Sequence, residues 1–112
     1  LKNIAKFQAV SLVPGRGEAL TDPRKIDDAL ELTDDFVTST FKSVSKIAHL
    51  GGNLKEAMSS CREQCDEKFS DYAIYEHCLP FNVSRAFDEA KGIDNPRIWT
   101  AERDKEMWEL LQ

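Results

Sequence analysis

Val10-Ser11-Leu12-Val13-Pro14-Gly15-Arg16-Gly17 is the one stretch of this chain that does not read as helix or helix connector. Four residues, three of them apolar, predict a short β-strand. Pro14 ends it, because proline has no N–H to give to a ladder. Gly15 and Gly17 let the backbone turn tightly, and Arg16 sits between them. A strand running into a glycine loop and then a helix is the junction at which α/β enzymes place functional groups. Yet no second strand is evident, and an unpaired strand edge needs a partner. Either another polypeptide supplies that partner or the stretch is extended loop.

Outward from this junction the chain reads as helix. Leu1, Ile4 and Ala5 have helical spacing before Phe7. After the loop, Thr21-Asp22-Pro23 is a helix start, a polar cap with proline at the first helical position. The helix it opens is predicted to run to about Leu50, roughly 40 Å by helical rise. Ile26, Ala29, Leu30, Thr33, Phe36, Val37, Phe41, Val44, Ile47 and Ala48 mark its apolar stripe. Asp27, Asp28, Glu31, Asp34 and Asp35 crowd its first half, Lys42 and Lys46 its second, in the order the helix dipole favours. They read as a solvated face rather than a cation site. Gly51-Gly52 ends the helix.

Asn53 with Glu56 forms a capping-box signature for a second helix carrying Leu54, Ala57, Met58, Cys61, Cys65 and Phe69 on one face. The short glycine link predicts that it lies antiparallel to the first. Ser70-Asp71 breaks the pattern. Pro80 restricts Leu79 to extended backbone, so a third helix is expected near Phe81 or Asn82, ending at Gly92. Ile93 to Pro96 is a loop. Thr100 caps a last helix, Ala101 to Gln112, with Met107, Trp108 and Leu111 facing inward. Trp99 and Trp108 should pin it; exposed, they would mark an interface. The fold class is therefore mainly α: about four helices in an irregular bundle preceded by one short strand. Residues 1–20 and 21–112 form the two expected regions.

The chain has 112 residues and a formal net charge of -5, which argues against nucleic acid as a partner. No apolar run approaches the roughly 20 residues that span a bilayer, and Leu1 to Lys6 has no signal-peptide core. Three cysteines are an odd set, which favours a reducing, cytoplasmic setting. Asn82-Val83-Ser84 matches a glycosylation acceptor, but nothing else points to secretion. Cys61, Cys65 and His77 have the ligand types for zinc, but the spacing is not that of a zinc knuckle, and both cysteines fall on an apolar stripe. Core packing is the better reading. Cys78 beside His77 does not make a nucleophile and base, since adjacent side chains diverge. His49 suits the end of the long helix.

Leu12-Val13-Pro14-Gly15-Arg16-Gly17 resembles the late strand and loop of metallo-β-lactamase-fold hydrolases, in which a Pro-Gly-His-Gly loop precedes a helix. Glu76 to Ala90, and then Gly92-Ile93-Asp94-Asn95-Pro96-Arg97-Ile98-Trp99-Thr100, is similar to the helical tail of one bacterial subgroup. The resemblance implies the C-terminal portion of a larger α/β hydrolase, with residues 1–20 ending its catalytic domain and 21–112 forming a helical region. It implies zinc or another divalent metal in the parent enzyme and none in this chain. Arg16 stands where the family has a metal-binding His, and the family's His-x-His-x-Asp-His cluster is absent, since the chain has only His49 and His77. The chain alone is thus expected to be inactive. Gly15, Arg16 and Gly17 would border the parent's site, with Arg16 meeting an anionic group of the substrate. The remainder of the parent chain is the expected partner, with self-association through helical faces or residues 10–13 as a further possibility. A non-catalytic helical interaction domain is the alternative.

Overall fold

A computed structural model describes residues 1–95 and 97–112; Pro96, the last residue of the expected 93–96 loop, lies outside the described residues. The protein is mainly α. Among the described residues five helices follow in order: α1 (Lys2–Ala5), α2 (Pro23–His49), α3 (Leu54–Phe69), α4 (Tyr75–Ala90) and α5 (Ala101–Leu111). The chain divides into two compact units, Leu1–Val37 and Thr38–Gln112, with the division falling inside α2.

In the first unit, α1 is a single turn. Val10 to Val13 does not form a ladder: Leu12 makes one antiparallel bridge with Leu20. Among the described residues there is no second strand for the apolar residues of this stretch to lie against, and backbone pairing stops after one residue pair. The Asp22 carboxylate accepts a hydrogen bond from the Arg24 N–H (2.9 Å) and caps α2 just before Pro23.

In the second unit the helix ends are set by side chains and glycines. At the end of α2, Gly51 adopts φ +80°, and the Gly52 and Gly51 N–H groups bond the Ile47 and Ala48 carbonyls. This Schellman arrangement satisfies carbonyls the helix leaves open. Gly92, at φ +84°, does the same for α4, with Ile93 N–H bonding the Asp88 carbonyl. Asn53 accepts from the Glu56 N–H while Glu56 accepts from the Asn53 N–H, closing a capping box on α3. Thr100 caps α5 through the Arg103 N–H.

The core of this unit collects Val44, Ala57, Cys61, Cys65, Phe69, Leu79, Val83 and Met107. α3 packs on both α4 and α5. Thr40 of α2 meets Cys65 of α3, and Ser60 of α3 bonds the Ser43 carbonyl, so numbers rise on one helix as they fall on the other. These two segments are antiparallel, as the short link requires.

Three expectations are corrected. Proline does not delay the third helix: α4 starts at Tyr75 and carries Pro80 inside it. Its sixth-position proline forfeits one backbone hydrogen bond, a cost of about 3 kcal/mol. Tyr75, Leu79, Pro80 and Val83 are all buried on one stripe, and that burial offsets the cost. The inward face of α2 past residue 38 is also rotated. Thr40, Ser43 and Val44 are buried while Phe41 is exposed, because small side chains let α3 approach. Trp108 is 47% exposed and only Met107 of the α5 trio is fully inside.

Two substitutions test this packing by urea unfolding. Asn53→Ala should cost about 1 kcal/mol, the usual loss of a helix cap. Leu79→Ala, which hollows a fully buried position, should cost about 3 kcal/mol.

Candidate functional site

The 10–17 stretch is an open, solvent-facing loop. Leu12 and Leu20 exchange two backbone hydrogen bonds of 2.8 Å each, closing the loop at its base. Gly17 sits at φ +90°, so a side chain there would be strained. Arg16 is exposed, and among the described residues it forms no ion pair. Phe7, Val10 and Val13, earlier in the chain, stand 76–80% exposed.

Cys61 and Cys65, one turn apart on α3, are buried with their sulfurs 3.9 Å apart. Burial, followed by the neighbouring Cys65, pushes the Cys61 thiol up to about 11. At neutral pH it is a protonated thiol, suited to neither attack nor metal binding. His77 is exposed with its ring tilted against Phe81 (centroids 5.8 Å). Among the described residues no group of three or more His, Cys, Asp and Glu is placed to hold a metal ion. Cys78 is half-buried, and the His49 ring meets the Ser45 hydroxyl at 3.2 Å.

The polar centre of the second unit lies elsewhere. Asp88, 6% exposed on the inner face of α4, binds two guanidinium groups. Arg97 donates from Nε (3.1 Å) and Nη2 (2.7 Å), one to each carboxylate oxygen. Arg103 Nη2 donates to Oδ2 (2.5 Å) from the first turn of α5. Burial pushes the Asp88 carboxyl up; the hydrogen bonds and charges of the two arginines overcome it and hold the carboxyl below its ordinary range. The Arg103 guanidinium lies 4.8 Å from the Trp99 ring centroid, and Trp99 meets Phe81 edge-on (4.9 Å). A cavity of about 290 Å³ adjoins this cluster. Leu54, Phe87 and Met107 contribute apolar walls, and Lys91, Arg97 and Arg103 contribute cations. The sequence carried one signal for this centre. Asp88 falls one turn after Ser84 on the stripe of Val83 and Phe87, where a charge needs a buried partner.

A second network ties α3 to the start of α4. Arg62 binds both oxygens of Glu76 (2.9 and 2.6 Å) and lies 3.5 Å from Asp66, which accepts from the Tyr75 hydroxyl (2.8 Å). The Arg62 hydrogen bonds lower the Glu76 carboxyl. Burial and then the bond to Asp66 raise Tyr75, so its phenol stays protonated at neutral pH.

Asp88→Asn removes the carboxylate that both arginines share, and should cost about 3 kcal/mol at pH 7, the usual penalty for breaking a buried pair. Since the folded carboxyl is depressed, the unfolded chain takes up this proton first as pH falls. The stabilisation is complete above the unfolded value of about 4 and disappears as pH drops through the folded one. Denaturant unfolding of both proteins should show the gap shrinking below about pH 4.

No protein-family model matches this chain, and no curated protein matches it.

Proposed function

We propose that the chain is the helical C-terminal region of a metal-dependent hydrolase of the metallo-β-lactamase superfamily, not catalytically competent alone. The observation that supports this most is the loop region. Val10 and Val13 are 76% and 80% exposed just before Pro14-Gly15-Arg16-Gly17, and the one bridge of this stretch is made by Leu12. Exposed apolar residues outside helix and ladder suit addition to a sheet edge, and the rest of the parent chain is the sheet we assign to them.

This chain's own donors do not fit a metal. Arg16 is a permanent cation, and the Cys61 thiol is protonated in the core. Its contribution would be Arg16, whose planar fork suits an anionic group of the substrate at the edge of the parent's site. Three free thiols are consistent with a cytoplasmic home.

The alternative, a non-catalytic helical interaction domain, is favoured by a different feature. A groove of about 330 Å³ is lined by Met58, Pro80, Trp108 and Leu111, with Trp108 half-exposed at its edge. That groove would receive a partner's apolar side chain.

The upstream reading frame separates the two. Roughly 200 further in-frame residues with a His-x-His-x-Asp-His cluster support the hydrolase; a start codon at Leu1 overturns it. Two outcomes are expected with the parent in hand. Val10→Lys with Val13→Lys should change the stability of the isolated chain by less than about 0.5 kcal/mol, yet abolish folding or zinc-dependent hydrolysis of the parent. Arg16→Ala should lower kcat/KM for an anionic ester about tenfold or more, the worth of a charged hydrogen bond, and spare a neutral one.

A further inference from the structure

The cavity beside Asp88 has an uneven lining. Leu54, Phe87 and Met107 give it an apolar body. Its charged side chains are Lys91, Arg97 and Arg103 against Asp88 and Glu106, an excess of one positive charge. The Asp88 carboxylate is already committed to both arginines. Glu106 adds to the attraction felt by Arg97. Lys91 therefore remains without an ion pair among the described residues, its ammonium 4.3 Å from the centroid of the Phe87 ring.

Arg103 supplies the second observation. It is 9% exposed, and its Nε and Nη1 have no hydrogen-bond partner among the described residues. A guanidinium has five N–H donors, and leaving buried donors unmet is costly. Its face is covered by Trp99, but an indole ring does not accept from the two edge nitrogens as an oxygen does. Those two nitrogens have no accessible surface and do not open on the cavity; what Arg103 gives its wall is a buried positive charge next to apolar surface.

We propose that this cavity binds a small amphipathic monocarboxylate, with its apolar body against Leu54, Phe87 and Met107 and its carboxylate at the side carrying Lys91, Arg97 and Arg103. The volume, about 290 Å³, lies at the lower end of small-molecule sites. It excludes long lipids and suits a medium-chain or phenyl-substituted acid. The charge balance selects an acid over an amine. The apolar walls select against bare inorganic anions, which would leave them wet.

Octanoate is the probe, titrated into the 112-residue chain and followed by calorimetry and by methyl and amide NMR. Octanol keeps the body without the charge, acetate the charge without the body, and octylamine reverses the charge. Octanoate should bind saturably, about tenfold or more tighter than octanol, as a charge-assisted hydrogen bond requires. Acetate and octylamine should not bind measurably. Shifts should centre on Phe87, Met107 and Leu110, which line the cavity. Lys91→Glu and Leu110→Trp change exposed residues, so the fold should survive, as unfolding curves would verify. Each should weaken octanoate about tenfold, the first by charge and the second by volume. Equal binding of octanol and octanoate, binding of octylamine, indifference to both variants, or no saturable binding would each overturn the proposal.

Discussion

A buried carboxylate has to be paired, and the second unit is arranged around meeting that demand at Asp88. Desolvating a single charge costs several kcal/mol, and a partial pairing would leave the core strained. Asp88 answers with both oxygens filled by guanidinium donors from two different segments, the Arg97 stretch and α5. The last helix is held by this ionic requirement as much as by burial of Met107. Trp99 closes over Arg103 from the other side, and Phe81 of α4 closes over Trp99. The residues after α4 are thereby drawn back along it, and Gly92 supplies the reversal. Replacing this pairing by apolar groups of like size is often neutral elsewhere in proteins. Its value here is directional, since two-pronged hydrogen bonds permit one register of α5 and apolar contact permits several.

Most of the helix ends were legible because they are local. Asp22-Pro23, Gly51-Gly52, the Asn53 and Glu56 box, Thr100 and Gly92 each satisfy backbone groups within a few residues, and the atoms needed are adjacent in sequence. Pro80 misled because its penalty is local while its compensation is not: Leu79 and Val83 are buried by residues far along the chain. The orientation of α2 past Thr38 was hidden for a related reason. Hydropathy favours Phe41 over Ser43 as an inward residue, but helix approach favours the smaller side chain, and Ser43 is the one inside.

The site residues divide in the same way. Arg16 was picked out by its setting between glycines, and the structure places it on an open loop. Cys61 and Cys65 were read as core packing, and they are fully buried. The Asp88 cluster was missed, because Asp88, Arg97 and Arg103 are nine and fifteen residues apart and share no motif. A charge on an apolar stripe was the only trace of it.

The paired thiols of α3 give the protein an internal clock. Cys61 and Cys65 are sealed from solvent, and burial raises the Cys61 thiol, whereas Cys78 is half-accessible. A thiol-reactive dye would therefore reach Cys78 in the folded state but reach the other two only through openings that part α3 from its neighbours. Where reclosing outruns labelling, the slow phase counts the equilibrium population of that opened state; where labelling outruns reclosing, it counts the opening rate itself. One chain thus carries both the reference signal and the measured one.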